Sequence, residues 1–374
     1  MTALDSTAAP ERSHGAQPSL QELRGRIDSL DEQIVALISE RARCAQHVAD
    51  VKLAEDPNAV FYRPEREAQV LKRIKSLNPG PLADDDMATL FREIMSFCLA
   101  LEKPLSVAYL GPQGTFTQQA MFKQFGSAVK GCPVASIEDV FRHVEEGHTT
   151  YGIVPVENST EGTVNQTLDH LMSSTLGVCG EIILPIHHYL LGHASETQPP
   201  VRIYSHPQSL AQCRSWLEHN MPNAELLAVS SNAEAVRRAE QEVGSAAIAG
   251  EQAAQYFDMQ ILHECIEDFS HNVTRFLVIG QQEISPSGDD RTALMATLTD
   301  QPGALSTLLG PLGKHGVDVV RLLPRPDKQQ PWKYVFFLDI QGHTEDAAVK
   351  QALNEIKPHI LQLRVLGSYP TCVL

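Results

Sequence analysis

YGIVPVENSTEGTVNQT, residues 151–167, is the stretch whose reading decides the fold. Ile153, Val154 and Val156 form a short apolar run of the β type expected of a buried strand. The run ends in Glu157-Asn158-Ser159-Thr160-Glu161-Gly162. Thr163 then opens a segment with helical spacing through Val164, Leu168, Leu171 and Met172. A strand that delivers a carboxylate, an amide and hydroxyls to a loop before a helix makes an anion-receptive corner, because unpaired backbone N–H groups converge there too. The same residues would also serve as ordinary capping and turn chemistry. Recurrence decides between the two.

The design does recur. After Pro104 the chain alternates strand-like and helix-like segments. Residues 106–110 read as a strand leading to Gly111-Pro112-Gln113-Gly114-Thr115-Phe116-Thr117 and a helix over 118–125. No Gly-Lys-Ser/Thr follows these glycines, which excludes a nucleotide P-loop. A helix over 137–145 precedes the opening strand. Further on, a strand over 201–204 delivers Ser205-His206-Pro207-Gln208 to a helix over 209–217. A strand over 246–249 precedes another helix, and Asn272-Val273-Thr274-Arg275-Phe276 leads into a strand over 276–279. Such repetition points to a two-lobed α/β cleft for a carboxylated molecule.

Length and composition set the frame. A chain of 374 residues, 43% hydrophobic, has room for two to four domains with real cores. No run reaches the roughly 18 apolar residues of a membrane span, and the N-terminus carries no basic-plus-apolar signal pattern. The seven cysteines are scattered without a CxxC, as expected of free thiols in a reducing cytoplasm, and no metal site is expected. His187-His188 with His193 is the nearest approach to a metal cluster, and its strand-like setting favours core or site histidines. A net charge of −16 argues against nucleic acid and anionic membranes as partners. Residues 104–284 hold 8 basic against 20 acidic side chains, so any anion bound there must be held locally by N–H groups, hydroxyls and a few arginines.

Residues 1–18 read as a disordered tail. Ser19-Leu20-Gln21-Glu22 is a capping box. Behind it Leu20, Leu23, Ile27, Leu30, Ile34 and Leu37 step by threes and fours, and Arg41, Cys44, Val48 and Val51 continue the register until Pro57. The spacing predicts one helix of roughly 50 Å with a heptad seam. Pro64 opens a second helix that Asn78-Pro79-Gly80-Pro81 ends, and Asp84-Asp85-Asp86 opens a third reaching Glu102. Helices this unequal do not close a bundle alone, so a second copy of the chain is expected. Arg24 and Lys52 lie about 42 Å apart on one helix. In an antiparallel dimer with its dyad near residue 35, Arg24 of one chain falls between Arg41 and Lys52 of the other.

LRGRIDSLDEQIVALISERARCAQHVADVK with YRPERE resembles the all-helical chorismate mutase family. The resemblance assigns Arg24 from the partner chain, Arg41, Lys52 and Arg66 to the carboxylates and ether oxygen of chorismate, and Glu67 to its hydroxyl. Cys98 and Glu102 stand at the two remaining positions, where the enteric pattern has Ser and Gln. The implied chemistry is a Claisen rearrangement of a dianion, driven by fixed cations without a nucleophile or cofactor.

GPQGTFT, PVENSTEG, SHPQ and NVTRF, in that order, resemble prephenate dehydratase. The resemblance implies two lobes like a periplasmic binding protein: lobe one at 105–183 plus 263–283, lobe two at 184–262. It makes Thr274 the essential threonine, places Arg275 beside it as a carboxylate partner, and lines the cleft with Thr115, Glu157, Asn158, Ser159, Ser205, His206 and Gln208. Loss of CO₂ and hydroxide from prephenate makes a proton donor to the leaving hydroxyl the main demand.

A βαββαβ order over 290–370, with DQPGAL and WKYVFFLDIQGH, resembles the ferredoxin-like ACT regulatory domain. There the resemblance implies phenylalanine binding at a dimer interface through Gly303, Ala304 and Leu305 and through Leu323-Pro324-Arg325-Pro326, where the family's ligand loop commonly reads ESRP. Taken together, the chain resembles the bifunctional chorismate mutase–prephenate dehydratase family: mutase 19–103, dehydratase 105–283, ACT 290–370. Its expected partners are chorismate, prephenate, phenylalanine as effector and a second copy, with no cofactor and a cytoplasmic location. Two other readings stay open, a dehydratase with a decayed mutase domain and a non-enzymatic amino-acid sensor.

Overall fold

The computed structural model describes residues 18–57, 59–193, 199–326 and 334–373. The expected tail lies outside the described residues except for Pro18, as do Trp332 and Lys333 of the WKYVFFLDIQGH stretch. Two compact units emerge, 1–57 and 58–374.

The first unit is one helix, α1 (Leu20–Glu55), and the expected capping box is formed. Ser19 Oγ accepts from the Glu22 N–H at 3.2 Å, and the Glu22 carboxylate accepts from the Ser19 N–H at 2.7 Å. Leu20, Leu23, Ile27, Leu30, Ile34 and Leu37 of its seam are exposed in the single chain.

The second unit opens with α2 (Pro64–Leu77) and α3 (Asp84–Glu102). Pro64 starts α2 because its fixed φ and missing N–H cost nothing in a first turn. Both helices are joined to the α/β body. Tyr62, just ahead of α2, packs tilted against Phe125 and edge-on to Tyr151. Arg92 of α3 bonds Glu67 of α2 at 3.0 Å and the Lys123 carbonyl at 2.6 Å.

The body then runs β1 (Ser106–Leu110), α4 (Phe116–Phe125), β2 (Lys130–Val134), α5 (Ile137–Glu145), β3 (Tyr151–Asn158), β4 (Gly162–Thr163), α6 (Asn165–Ser173) and β5 (Gly177–Pro185). The chain crosses to a second lobe of β6 (Tyr189–Gly192), β7 (Arg202–Ser205), α7 (Pro207–Gln212), α8 (Arg214–Asn220), β8 (Glu225–Ala228), α9 (Asn232–Gln241), β9 (Ser245–Ala249), α10 (Glu251–Phe257) and β10 (Gln260–His263). It returns as β11 (Val273–Gly280), which inserts between β3 and β5 in the order β2-β1-β3-β11-β5. The second sheet is β10-β6-β9-β7-β8. This return sets Thr274 beside Asn158, its register partner 116 residues earlier.

A C-terminal module of β12 (Asp290–Thr297), α11 (Ala304–Lys314), β13 (Val319–Pro326), β14 (Tyr334–Gln341), α12 (Ala347–Ile356) and β15 (Gln362–Pro370) forms an antiparallel sheet in the order β13-β14-β12-β15. One face covers α11 and α12 through Leu294, Leu308, Leu338 and Leu353. The other packs on the first lobe, where Met295, Phe337 and Leu366 share a core with Val156, Leu168 and Leu277. Residues 323–326, expected as a loop, are strand: Pro324 is accommodated because β13 is an edge strand.

Candidate active site

The crevice between the two lobes holds about 540 Å³, a volume suited to a small metabolite. Its walls are built by one repeated local device. Thr115, Val164, His206, Ser231 and Gly250, the N-cap residues of α4, α6, α7, α9 and α10, all line it. Five helix starts thus turn their positive dipole ends toward one space. Gly114, at φ +83° before α4, takes a conformation that a side chain would strain. Among the described lining residues there is no lysine or arginine. An anion in this cleft would have to be held by N–H groups and hydroxyls, because the expected contribution of arginines is not found among the described lining residues.

The polar floor is one connected network. Asn158 Oδ1 accepts from the backbone N–H groups of Thr160 at 3.0 Å and Glu161 at 3.1 Å. Two backbone donors fix which end of the amide is oxygen, so Nδ2 donates to Thr274 Oγ1 at 2.7 Å and to Asn272 Oδ1 at 2.9 Å. The Thr274 oxygen therefore accepts, and its hydroxyl hydrogen is left to point at whatever occupies the cleft. From Asn272 the network continues to Gln212 Oε1 at 3.3 Å, which also bonds His188 Nε2 at 2.8 Å. Burial lowers the pKa of His188 against the opposing pull of Gln212, and the ring is a neutral donor to that oxygen.

His188 belongs to the crossover between lobes. Its backbone N–H donates to Glu267 Oε2 at 2.9 Å, and His187 Nδ1 bonds Glu267 Oε1 at 2.7 Å. Burial would raise Glu267, but these two bonds outweigh it and hold the carboxyl below its usual range. His187, Cys265 and Glu267 bring donor atoms within 4.8 Å of one another and could hold a metal ion. Their imidazole and carboxylate are engaged with each other in joining the two segments that cross between the lobes.

The site residues expected from sequence divide. Thr115, Asn158, His206, Gln208 and Thr274 line the cleft. His206 Nδ1 caps α7 by accepting from the Gln208 N–H at 3.3 Å. Ser205 is fully buried, its hydroxyl committed to the Ile248 carbonyl at 2.9 Å and to Asn232 at 3.0 Å. Ser159 holds the loop by accepting from the Val273 N–H at 2.9 Å. Two placements differ from expectation for one reason: side chains alternate across a strand. With Thr274 facing the cleft, Arg275 points to the opposite face, 5% exposed, and pairs with Glu181 at 2.9 Å and Asp339 at 2.7 Å. With Asn158 facing the cleft, Glu157 points away too and meets Arg321 at 3.1 Å. Arg275 is thus not a carboxylate partner in this cleft.

Residues 230–232 complete the wall and were missed. Asn232 accepts from the His206 N–H at 3.1 Å and donates to Ser209 at 2.9 Å. The signal was present in sequence as a fifth strand followed by Ser230-Ser231-Asn232-Ala233-Glu234, again a capping box before a helix.

The mutase candidates are placed singly. Arg24 is exposed on α1, while Arg41 and Lys52 are half-buried there. In the second unit Arg66 is exposed on α2, Cys98 is buried on α3, and Glu102 is half-buried at the end of α3. Glu67 faces Arg92 and a small crevice shared with Gln124 and Glu181. Burial raises its pKa against the opposing charge of Arg92. Of the effector candidates, Gly303 caps α11 at φ +84° with Ala304 and Leu305 following, Leu323 packs on the core shared with the first lobe, and Arg325 grips Asp169 of α6 at 2.8 Å through two nitrogens. Pro324 and Pro326 face outward.

Comparison with known proteins agrees over nearly the whole chain. Residues 23–103 match the family model for chorismate mutase type II, 107–284 that for prephenate dehydratase, and 292–358 that for the ACT domain. A bifunctional chorismate mutase/prephenate dehydratase of Pseudomonas aeruginosa is 54% identical over 362 residues, covering 96% of this chain and 99% of that one. One of Stutzerimonas stutzeri is 55% identical over 359 residues, covering 95% and 98%. Among solved structures, a prephenate dehydratase from Arthrobacter aurescens in complex with L-Phe is 31% identical, with a TM-score of 0.65 over 71% of this chain and 90% of that one.

Proposed function

The chain belongs to the bifunctional chorismate mutase/prephenate dehydratase family, and from that premise we propose how its residues divide the work. It rearranges chorismate to prephenate, then decarboxylates and dehydrates prephenate to phenylpyruvate. The observation that carries the second assignment is the Asn158–Thr274 hydrogen bond at the floor of the cleft. As the bond from ring carbon to carboxylate breaks, its electrons enter the ring and expel the hydroxyl opposite. Thr274, its oxygen held by Asn158, donates the hydrogen with which the hydroxyl leaves as water, and takes a proton back from solvent. The helix starts around it hold the substrate carboxylates without a competing cation. Prephenate supplied to the pure protein tests this half alone: phenylpyruvate must form without added metal or cofactor.

For the mutase half, Arg24, Arg41, Lys52 and Arg66 act as the fixed cations on the dianion, in a dimer paired along the exposed seam of α1. In the family the position of Glu102 donates a hydrogen bond to the ether oxygen whose bond breaks. A carboxylate can only accept, so Glu102 must be protonated to do this work. Mutase turnover is therefore expected to rise as pH falls below neutrality, without a matching limb in dehydratase turnover. Glu102→Gln flattens that profile. A flat profile in the unmodified enzyme, unchanged by the substitution, removes Glu102 from this role.

Phenylalanine acts as effector through the ACT domain, and the reaction runs in the cytoplasm. No helix among the described residues is long and apolar enough to cross a membrane. Leu323 and Pro324 replace the Glu and Ser of the family's ligand loop, removing a charge and a hydroxyl. Calorimetry should therefore show phenylalanine binding several-fold more weakly than to an ESRP-bearing relative, or a preference for another aromatic ligand. Equal affinity under the same conditions contradicts this.

A further inference from the structure

The two faces of one strand pair carry different traffic. On the cleft face of β3 and β11 stand the register partners Asn158 and Thr274, hydrogen-bonded at 2.7 Å. On the far face stand the next partners, Glu157 and Arg275. Both are gripped by the C-terminal sheet rather than by each other. Asp339 of β14 holds Arg275 at 2.7 Å, with Tyr369 of β15 accepting a further bond at 3.0 Å. Arg321 of β13 holds Glu157 at 3.1 Å. Glu181 of β5 completes the joint, bonding Arg275 at 2.9 Å and also Arg291 of β12. Arg275 is 5% and Glu181 1% exposed by side chain, so these ion pairs are little screened and their geometry is tightly held.

We propose that Arg275 and Glu157 are positioning residues through which the ACT sheet sets the Asn158–Thr274 hydrogen bond, so that effector binding changes dehydration without touching the cleft. This rests on the dehydratase reading above. Adjacent residues on a strand share one backbone, so a shift of Asp339 against Arg321 moves Thr274 relative to Asn158 across the sheet. The strand pair has a register shift beside this point, between Arg275 and Phe276. Such a bulge is a place where ladder geometry is already broken and a side chain can be re-aimed. The joint also has slack. A cavity of about 20 Å³ borders Arg275, Arg321 and Asp339, and Arg321 Nη1 is buried without a hydrogen-bond partner among the described residues, 4.0 Å from Asp339.

A positioning role and a substrate contact predict different kinetics. Asp339→Asn and Arg321→Gln, made in the full chain, remove one grip each without altering any cleft residue. Both variants are expected to lower dehydratase kcat by about tenfold while KM for prephenate stays within about twofold. Mutase turnover, measured in the same samples, stays unchanged and reports that the chain is folded. Inhibition of dehydration by phenylalanine is blunted in both variants, although calorimetry shows phenylalanine still bound. The double variant loses less than the product of the two single losses, because both grips act on one hydrogen bond.

Unchanged dehydratase kinetics and unchanged phenylalanine response in the two single variants overturn the proposal. So does a rise in KM with kcat preserved, which marks lost substrate binding instead. Thr274→Ala in the same assay separates the two levels of the reading. Full dehydratase activity there removes the cleft assignment itself. Its loss there, together with normal Asp339→Asn and Arg321→Gln proteins, overturns only the coupling.

Discussion

Thr274→Ala is expected to cut phenylpyruvate formation by about 10³-fold or more, the range of a lost general acid, while prephenate still forms from chorismate at nearly the original rate. The expectation follows from a hydroxyl whose oxygen is already occupied. Asn158 donates to it at 2.7 Å, so its one free function is to give a hydrogen to the cleft. Alanine removes the donor and leaves Asn158 Nδ2 with Asn272 Oδ1 as its remaining partner. The fold should survive, because the neighbouring β11 side chains Phe276, Leu277 and Val278 are all buried and unaltered. Phenylpyruvate made at the original rate by the folded variant would remove Thr274 from the reaction.

Arg41→Ala is expected to do the reverse: mutase turnover falls by about 10²- to 10³-fold, in the range of one lost electrostatic stabiliser, and dehydratase turnover from supplied prephenate is retained. Arg41 lies on α1, in the compact unit 1–57, whereas the cleft belongs to 58–374. Parallel loss of both activities with an unchanged circular dichroism spectrum contradicts the division of labour.

Sequence made the strand-to-helix logic legible because each cleft corner announces itself locally. An apolar run stops, Ser, Thr, Asn or Gln follows, and a helix starts. Thr115, Asn158, His206 and Gln208 stand at such corners, whereas Thr274, which leads into a strand, is placed by the family resemblance; Asn232 was legible locally, since Ser231-Asn232-Ala233-Glu234 is a capping-box pattern. What stayed hidden was which way neighbouring residues point. Arg275 and Glu157 flank cleft residues in sequence, and nothing local says that β11 inserts beside β3 with a third sheet behind both. Once that sheet is known, alternation assigns both side chains to it. The extent of β13 was hidden for a related reason. Pro324 and Pro326 read as loop formers, yet an edge strand leaves room for residues without an N–H. Helices α2 and α3 read correctly as helices, but their attachment to the α/β body depends on Tyr62 and Arg92, whose partners are distant in the chain.

The most direct measurement of the central claim is a single time course. Chorismate is added to the purified full chain, and chorismate, prephenate and phenylpyruvate are followed together, with Thr274→Ala and Arg41→Ala run beside it. The expected result is that chorismate is consumed, prephenate appears, and phenylpyruvate follows, that prephenate accumulates without phenylpyruvate in Thr274→Ala, and that chorismate persists in Arg41→Ala. Chorismate left untouched by the unmodified chain while supplied prephenate is still dehydrated would contradict it, leaving a dehydratase alone.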